Sequence, residues 1–291
     1  MIFGKIALVG MSGVVGVSAG SLGMSNSVRV GDPTTINAMH WTPESACFEN
    51  SDCRTGAVEY LGKFLKSSNY DFISLSNWTT GENITAPYPD YKTYETTNCG
   101  VKQVLVYKSS VWRPSTKVTK LCLDKPGAVI AVQFASGDVT SPNNVTVLSA
   151  YFSDKTQTSI GKIKSLGKDA SNDLDFNRLL VLADTRLVTS TKEPGMKDED
   201  IFKGIDASTK TIVSTAGKET TTTSAVDPVT CCVKVQSTDQ AFSRIIANLG
   251  SFKSDTDGAK YGFNQDGTWG GPKWISQDKM QRPVFLQFTQ S

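Results

Sequence analysis

The sequence predicts an α/β (α+β) protein, and three features of its element order support this fold class. The first is a strand, loop, helix and strand in series between residues 33 and 77. The second is a set of four strand-like runs between residues 101 and 152, whose short connections favour antiparallel neighbours. The third is a helix followed by the apolar run "LLVLA" at residues 179–183, which is typical of a strand covered on both faces.

The elements of the first half follow from hydrophobic periodicity. "TTINAMHW" alternates as a strand does, and "SACFENSDC" is expected to form a polar loop. "AVEYLGKFLKSS" predicts a helix, and "YDFISLSN" predicts the strand after it. The apolar face of this helix consists of Val58, Leu61, Phe64 and Leu65. Residues 79–100 contain Gly81, Pro87 and Pro89 and are expected to form turns.

The second half continues with strands and one clear helix. "VKQVLVYKS", "TKVTKLCL", "GAVIAVQFA" and "VTVLSAYF" are the four strand-like runs, and "TSIGKIKSLGKDASNDLDF" predicts a helix. Residues 189–228 are polar and are expected to form a long irregular insertion. Beyond them we expect a strand at "TCCVKVQ", a short helix at "DQAFSRIIANLGSF", a loop at "NQDGTWGG" and a closing strand at "RPVFLQF". Residues 29–291 are predicted to form one domain.

Composition limits the classes of function. The chain has 291 residues, of which 38% are hydrophobic, and this is ample for a packed core. Its 30 Lys and Arg against 28 Asp and Glu give a net charge of +2, so no general attraction to nucleic acid or anionic membranes is expected. Any binding of a polyanion would have to be local.

The N-terminal segment has the layout of a secretory signal. Lys5 is followed by the apolar segment 6–17 and by the small residues Ser18, Ala19 and Gly20. Residues 1–28 are therefore predicted to be a signal peptide, or an uncleaved N-terminal anchor, which would be the one part to contact a membrane. Either case predicts a secreted or cell-surface protein.

The chain contains six cysteines, whose spacing fits no zinc pattern. In an exported protein some of them are expected to be paired, and Cys47 with Cys53 is the most direct local bridge.

Several motifs, taken in order, resemble those of the endonuclease/exonuclease/phosphatase superfamily, the deoxyribonuclease-I-like proteins. They are "VKQVLVYKS", "LDKPGAVIAVQF", "LSAYFSDK", "LADTRL" and the closing "RPV". Their local sequences are most similar to those of the mycoplasma membrane nucleases, and the resemblance covers residues 33–290. It implies a four-layer sandwich, in which two mixed β-sheets pack face to face with helices outside. It also implies that Trp41, Asn77, Tyr151, Asp184 and Gln281 converge on one rim of the sandwich.

The chemistry of that superfamily requires a carboxylate pair for a divalent metal, a histidine polarised by an aspartate to activate water, and a second histidine with asparagines for the phosphate. One of these expected groups, Asp184, is retained. At six further positions the family has, in chain order, Asn, Glu, His, Asn, Asp and His. In this chain those positions are occupied by neutral or basic residues: Thr42, Asn77, Tyr151, Arg186, Met280 and Gln281.

His40 is the single histidine of the sequence, and we expect it to be a strand residue satisfied by a backbone partner. Arg186 lies two positions after Asp184, so in an extended strand its guanidinium can take the place of the charge of the metal. We therefore predict an exported nuclease-fold protein without metal-dependent phosphodiesterase activity and without a cofactor, retained as a binding module. Its partner is predicted to be a nucleic acid or a host or surface ligand.

Two alternatives remain open at this point. One is an active nuclease or phosphodiesterase that binds Mg²⁺ or Ca²⁺ through Asp184, Asp71 or Glu82. The other is an unrelated α/β surface protein. Two lesser features also have two interpretations each. The "KDED" segment forms either a solvated turn or a weak Ca²⁺ contact. An aromatic set near residues 267–271 forms either a base-stacking platform or a loop whose aromatic side chains pack on the core. That set is Tyr261, Trp269 and Trp274.

Overall fold

The computed structural model describes residues 33–43, 45–81, 83–124, 126–136, 143–152, 156–184, 243–249, 252–254 and 283–290. The helices are α1 (Ser45–Glu49), α2 (Ser51–Ser67) and α3 (Thr156–Lys168), with a 3-10 turn at Ala170–Asn172. The strands are β1 (Thr35–Trp41), β2 (Phe72–Ser76), β3 (Tyr91–Thr96), β4 (Gln103–Lys108), β5 (Arg113–Pro114), β6 (Thr119–Cys122), β7 (Ala128–Ser136), β8 (Asn143–Tyr151), β9 (Leu179–Asp184), β10 (Ser243–Asn248), β11 (Phe252–Ser254) and β12 (Val284–Gln290).

These strands form two mixed sheets. The first has the order β11-β12-β1-β2-β4-β3, and within it only β1 and β2 are parallel among the described strands. The second has the order β10-β9-β8-β7-β5, with β6 also paired to β7, and β8 and β9 are its parallel pair. The two sheets pack face to face through an apolar cluster drawn from both.

Helices cover the outer faces of both sheets. The amphipathic helix α2 begins after Asn50, whose side chain accepts hydrogen bonds from two backbone amides at 3.0 Å. It ends at Ser67, and the capping residue Ser68 adopts a left-handed conformation. Its buried residues pack on the outer face of the first sheet, and those of α3 pack on that of the second. The predicted four-layer sandwich is confirmed.

The strands that carry the predicted site point the same way. The ring of Phe72, at the start of β2, contacts that of Phe134, which lies opposite Val145 near the start of β8. Further along, the hydroxyl oxygens of Ser74 and Ser149 are 2.8 Å apart. Strands β2 and β8 therefore run in the same direction. Because β1 is parallel to β2 and β9 to β8, all four strands end at one rim of the sandwich, here called the rim.

Three predictions about local structure are wrong. "SACFENSDC" forms α1 and the start of α2, because Asn50 caps the second helix and Cys47 is bridged to Cys53. Residues 79–100 contain β3, which pairs with β4. "DQAFSRIIANLGSF" contributes β10 and β11 rather than a helix, because β10 pairs along the edge of β9 and buries alternate residues.

The four strand-like runs between residues 101 and 152 are predicted to be antiparallel neighbours, and three of them are. Strands β6, β7 and β8 are antiparallel neighbours, but β4 belongs to the other sheet. The predicted leader, the insertion at 189–228, "TCCVKVQ", "KDED", the aromatic set near residues 267–271 and Glu82 all lie outside the described residues. No helix in the described ranges combines the length and apolar character needed to cross a membrane.

Candidate functional site

The structure brings four of the predicted site positions to the rim. Trp41 ends β1, Asn77 directly follows β2, and Tyr151 lies opposite Asp184 at the ends of β8 and β9. The amide of Phe152 donates to the carbonyl of Asp184 at 2.8 Å, which holds these two strand ends together. Arg186, Met280 and Gln281 lie outside the described residues, so their predicted places stay predictions.

Asp184 is the last residue of β9 and is completely buried. A buried carboxylate must be compensated by hydrogen bonds or by opposite charge. Among the described residues that end the four rim strands, it is the one carboxylate. The proposed compensation by Arg186 stays a prediction.

Asn77, the residue after β2, lies in the left-handed region with φ of 55°, a conformation that Asn tolerates better than most residues. The chain then turns so that Trp78 is fully buried against two other rings, Trp41 at 5.7 Å and Phe48 at 5.1 Å between centroids. This aromatic packing fills the side of the rim next to Asn77. The neutral amide of Asn77 adds no charge for a cation.

Tyr151 is buried at the end of β8 within an apolar cluster. The cluster includes Cys99, Val101 and Ala128, and Cys99 is joined to Cys122 by a disulfide with a Cα–Cα distance of 5.0 Å. The ring of Tyr151 thus packs where the sheets meet, at the position where the sequence resemblance implies the phosphate-side histidine. Its placement there favours a structural role.

His40 is buried between the sheets rather than exposed at the rim. Its Nδ1 lies 2.9 Å from the hydroxyl of Ser74, and its Nε2 lies 3.1 Å from the hydroxyl of Thr42. Burial lowers its pKa to about 3, so the ring is neutral at physiological pH. The expected structural role holds, but the partners are two hydroxyls and not a backbone group.

The histidine belongs to a buried network that the motif comparison does not predict. The amide nitrogen of Gln103 lies 3.1 Å from the hydroxyl of Ser74 and 2.7 Å from that of Ser149. The Ser74 hydroxyl also donates to the carbonyl of Leu182 at 3.2 Å. The sequence signal for this network is the presence of serines inside the apolar strands "FISLS" and "VLSAY".

Asp71 cannot join Asp184 in a metal site. It precedes β2, six positions from Asn77, and at about 3.3 Å per residue this places it roughly 20 Å from the rim. Its two carboxyl oxygens accept from Trp112 Nε1 at 2.9 Å and from the amide of Asn37 at 2.8 Å. Burial raises its pKa, and these two hydrogen bonds act in the opposite direction.

The described donors at the rim do not by themselves fit a divalent metal ion. Mg²⁺ and Ca²⁺ prefer several oxygen ligands with carboxylates among them. The described part of the rim offers Asp184, the neutral Asn77, and Thr42, whose hydroxyl is already hydrogen-bonded to His40. Nowhere in the described ranges do three or more His, Cys, Asp or Glu side chains come together in a way that could hold a metal.

No protein-family model and no curated protein sequence matches the chain. Solved structures do match it over most of its length. An endonuclease/exonuclease/phosphatase from Bacteroides vulgatus superimposes with a TM-score of 0.59 and 8% identity, over 89% of this chain and 100% of that one. The human Nocturnin catalytic domain with bound sulfate gives a TM-score of 0.58 and 9% identity, over 89% and 94%.

A humanized D. rerio TDP2 gives a TM-score of 0.55 and 11% identity, over 88% of this chain and 99% of that chain. At such identities the likeness concerns the fold, and the finer similarity to mycoplasma membrane nucleases stays a prediction. The paired mixed sheets, the outer helices and these superpositions agree with the motif order in the sequence. The chain therefore has the endonuclease/exonuclease/phosphatase, or deoxyribonuclease-I-like, fold.

Proposed function

We propose that this chain is an exported domain of the endonuclease/exonuclease/phosphatase fold that has lost metal-dependent phosphodiester hydrolysis and serves as a surface or secreted binding module. The observation that carries the proposal is the position of His40. It is the one histidine in all 291 residues, and both of its ring nitrogens are engaged by buried hydroxyls. A histidine that activates water must reach solvent and substrate, and this one reaches neither.

The chemistry of the rim supports the same proposal. Asn77 and Tyr151 are neutral at the two positions where the resemblance implies a metal-binding carboxylate and a histidine. Asp184 alone among the described strand ends would face the charge of a divalent ion, and it is fully buried. A single carboxylate is a poor ligand set for Mg²⁺, which requires near-octahedral oxygen coordination.

The two disulfides support export. Cys47 is bridged to Cys53 as predicted, and Cys99 is bridged to Cys122. Disulfides persist in oxidising compartments and are rare in reducing ones, in agreement with a leader at residues 1–28. We take the partner of the module to be a nucleic acid or a ligand on a surface.

A plasmid-nicking assay tests the loss of catalysis. We expect the purified full chain to leave supercoiled plasmid intact with Mg²⁺, Mn²⁺ or Ca²⁺, because the chain offers no histidine for water activation. Asp184→Asn, which keeps the side-chain shape, is the matched control. Nicking that is equal in both proteins comes from a contaminating nuclease. Nicking by the parent that disappears in Asp184→Asn would establish the alternative, an active phosphodiesterase with a non-standard site.

A further inference from the structure

A concave site lies on the outer face of the first sheet, next to helix α2. This pocket, here called the α2 pocket, has a volume of 570 Å³, which is within the range that holds small-molecule ligands. Its lining includes Asn37, Lys63, Phe64, Phe285 and Gln287. Asn37 precedes Trp41 by four positions on β1, about 13 Å along the strand. The α2 pocket is thus separate from the rim.

The walls of the α2 pocket are aromatic. The ring of Phe64 lies 5.1 Å from that of Phe285 and 5.4 Å from that of Tyr70, measured between centroids. Phe64 is half-buried, so part of its ring faces the pocket. Phe285 and Tyr70 are buried behind it. A partly exposed ring such as that of Phe64 is a surface on which nucleobases stack in proteins, irrespective of base identity.

The floor of the α2 pocket carries two amides. Asn37 on β1 and Gln287 on β12 are register partners, and both are half-buried on the outer face. Within the part of the chain that the structure describes, neither side-chain amide makes a hydrogen bond. Each amide offers both donors and an acceptor, the combination that matches the hydrogen-bonding edge of a nucleobase.

A positive charge stands at the opening of the α2 pocket. Lys63 is exposed on α2 and makes no ion pair with any described residue. Its ammonium group offers three donors to an anion, and phosphate is a common partner of such a group. The aromatic side chains, the two amides and the lysine of the α2 pocket together fit a planar heterocycle that carries a phosphate.

We propose that the α2 pocket binds a nucleotide. The base packs against Phe64, its edge is hydrogen-bonded by Asn37 and Gln287, and its phosphate meets Lys63. The ligand is a free mononucleotide or one nucleotide of a single strand, which share this chemistry. The site does not depend on the loss of catalysis at the rim, so the two proposals can fail separately.

Ligand-observed NMR titration of the full chain tests the proposal, with adenosine 5′-monophosphate and adenosine as probes. We expect the monophosphate to bind with a Kd of about 1 mM or tighter. Lys63→Glu should weaken the monophosphate about tenfold and leave adenosine unchanged, since only the phosphate contact is lost. Asn37→Leu should weaken both probes about tenfold. Lys66→Glu, an exposed change on the same helix outside the α2 pocket, should change neither.

Absence of monophosphate binding at this level, or binding that is the same in Lys63→Glu and in the parent, would overturn the proposal. Circular dichroism of each variant verifies folding, and if Asn37→Leu does not fold, the exposed Lys63→Glu decides the outcome. A tetranucleotide of deoxyadenylate identifies the source of the ligand. Binding at least about tenfold tighter than that of the monophosphate assigns a strand, and similar binding assigns a free nucleotide.

Discussion

Between the two sheets, the end at which β1, β2, β8 and β9 begin is packed with rings, whereas the end at which they finish is hydrogen-bonded. At the first end the centroid of the Phe72 ring lies 5.0 Å from that of Trp112 and 5.2 Å from that of Phe134. At the second end the inward positions of the same strands are occupied by His40 and Ser149. Both ends are fully buried, so exposure does not explain the difference.

Between the sheets, the comparison predicts that the ring-packed end contributes more to the stability of the fold than the hydrogen-bonded end. A buried ring contributes several times more than a neutral hydrogen bond, because the bond replaces one made with water in the unfolded chain. The hydrogen-bonded end even contains buried polar atoms that have no partner in the described structure, the Oε1 of Gln103 and the Oγ of Ser76. Among the described residues, the rim thus keeps the polar character of a site, with Asp184 as the one carboxylate at its strand ends.

Removing a ring at the packed end should have the largest effect. Phe134 is fully buried, and its ring lies 4.8 Å from that of Tyr107 and 5.2 Å from that of Phe72. Phe134→Ala should lower the free energy of unfolding by about 3–5 kcal/mol, as measured by urea denaturation. A loss under about 1 kcal/mol would contradict the view that this end carries the stability.

The disulfide at the rim end should compensate for the weaker packing there. The bridge between Cys99 and Cys122 joins the β3–β4 connection of the first sheet to β6 of the second, next to Tyr151. It closes a loop with a sequence separation of 23, against 6 for Cys47 and Cys53. Replacing both cysteines of the longer bridge by Ser should cost about 3 kcal/mol, and of the shorter about 2 kcal/mol.

Denaturation of the two double variants measures this difference. The shorter bridge serves as the control, because it lies within the helical layer and does not connect the sheets. Equal losses, or a larger loss for the shorter bridge, would show that the longer one does not hold the rim end together.

The pH dependence of stability tests the burial of His40. Its folded pKa of about 3 lies below the unfolded value of 6.5, so below pH 6.5 the unfolded chain binds a proton that the folded chain does not. The stability due to neutral His40 is therefore complete above pH 6.5 and is lost as the pH falls toward 3. Between pH 7 and pH 5 the loss should be about 2 kcal/mol.

His40→Gln is the control for this titration, because Gln keeps two polar groups and does not titrate in this range. The stability difference between parent and variant should shrink by about 2 kcal/mol from pH 7 to pH 5 in urea denaturation. A difference that stays constant with pH would mean that His40 has the same pKa in the folded and unfolded chain, as a solvated imidazole would.

The smallest effects are expected for single hydroxyls at the hydrogen-bonded end. Ser149→Ala removes a partner of Gln103 and should cost about 1–2 kcal/mol, since a buried donor loses one of its hydrogen bonds. Ser76→Ala removes a buried hydroxyl that has no partner in the described structure and should be neutral or stabilising by up to about 1 kcal/mol. Thermal unfolding of the two variants compares them directly. Equal losses would show that the network is not arranged as described.

Much of the fold could be predicted from the sequence because its central strands are long apolar runs with clear ends. β9 ends at Asp184, and β8 ends at Tyr151, as the motif order implies. Helix α1 could not be recognised, because "SACFE" is short and is closed by a cap and a disulfide. The residues of β10 are also compatible with a helix, because "SRIIAN" fits both periods, and only pairing with β9 decides between them.

The position of the candidate site could be predicted from the sequence, but the hydrogen bonds inside it could not. Four strand ends reach the rim as the resemblance implies, because the order of strands fixes where they end. The contact of Ser74 with Ser149 spans 75 positions and links two different sheets. Spacing along the chain contains no information about such a contact. The hydrogen-bond partners of His40 therefore became visible only in the folded chain.

The central claim is that the rim no longer binds a divalent metal. Melting curves of the full chain with and without millimolar Mg²⁺ or Mn²⁺ test it, in the parent and in Asp184→Asn. A ligand that binds the folded state at a hundredfold excess over its Kd stabilises it by about 2.7 kcal/mol, so a working site must raise the Tm. We predict no increase in the parent. An increase in the parent that is absent in Asp184→Asn would contradict the account, whereas an increase shared by both proteins would come from a site elsewhere.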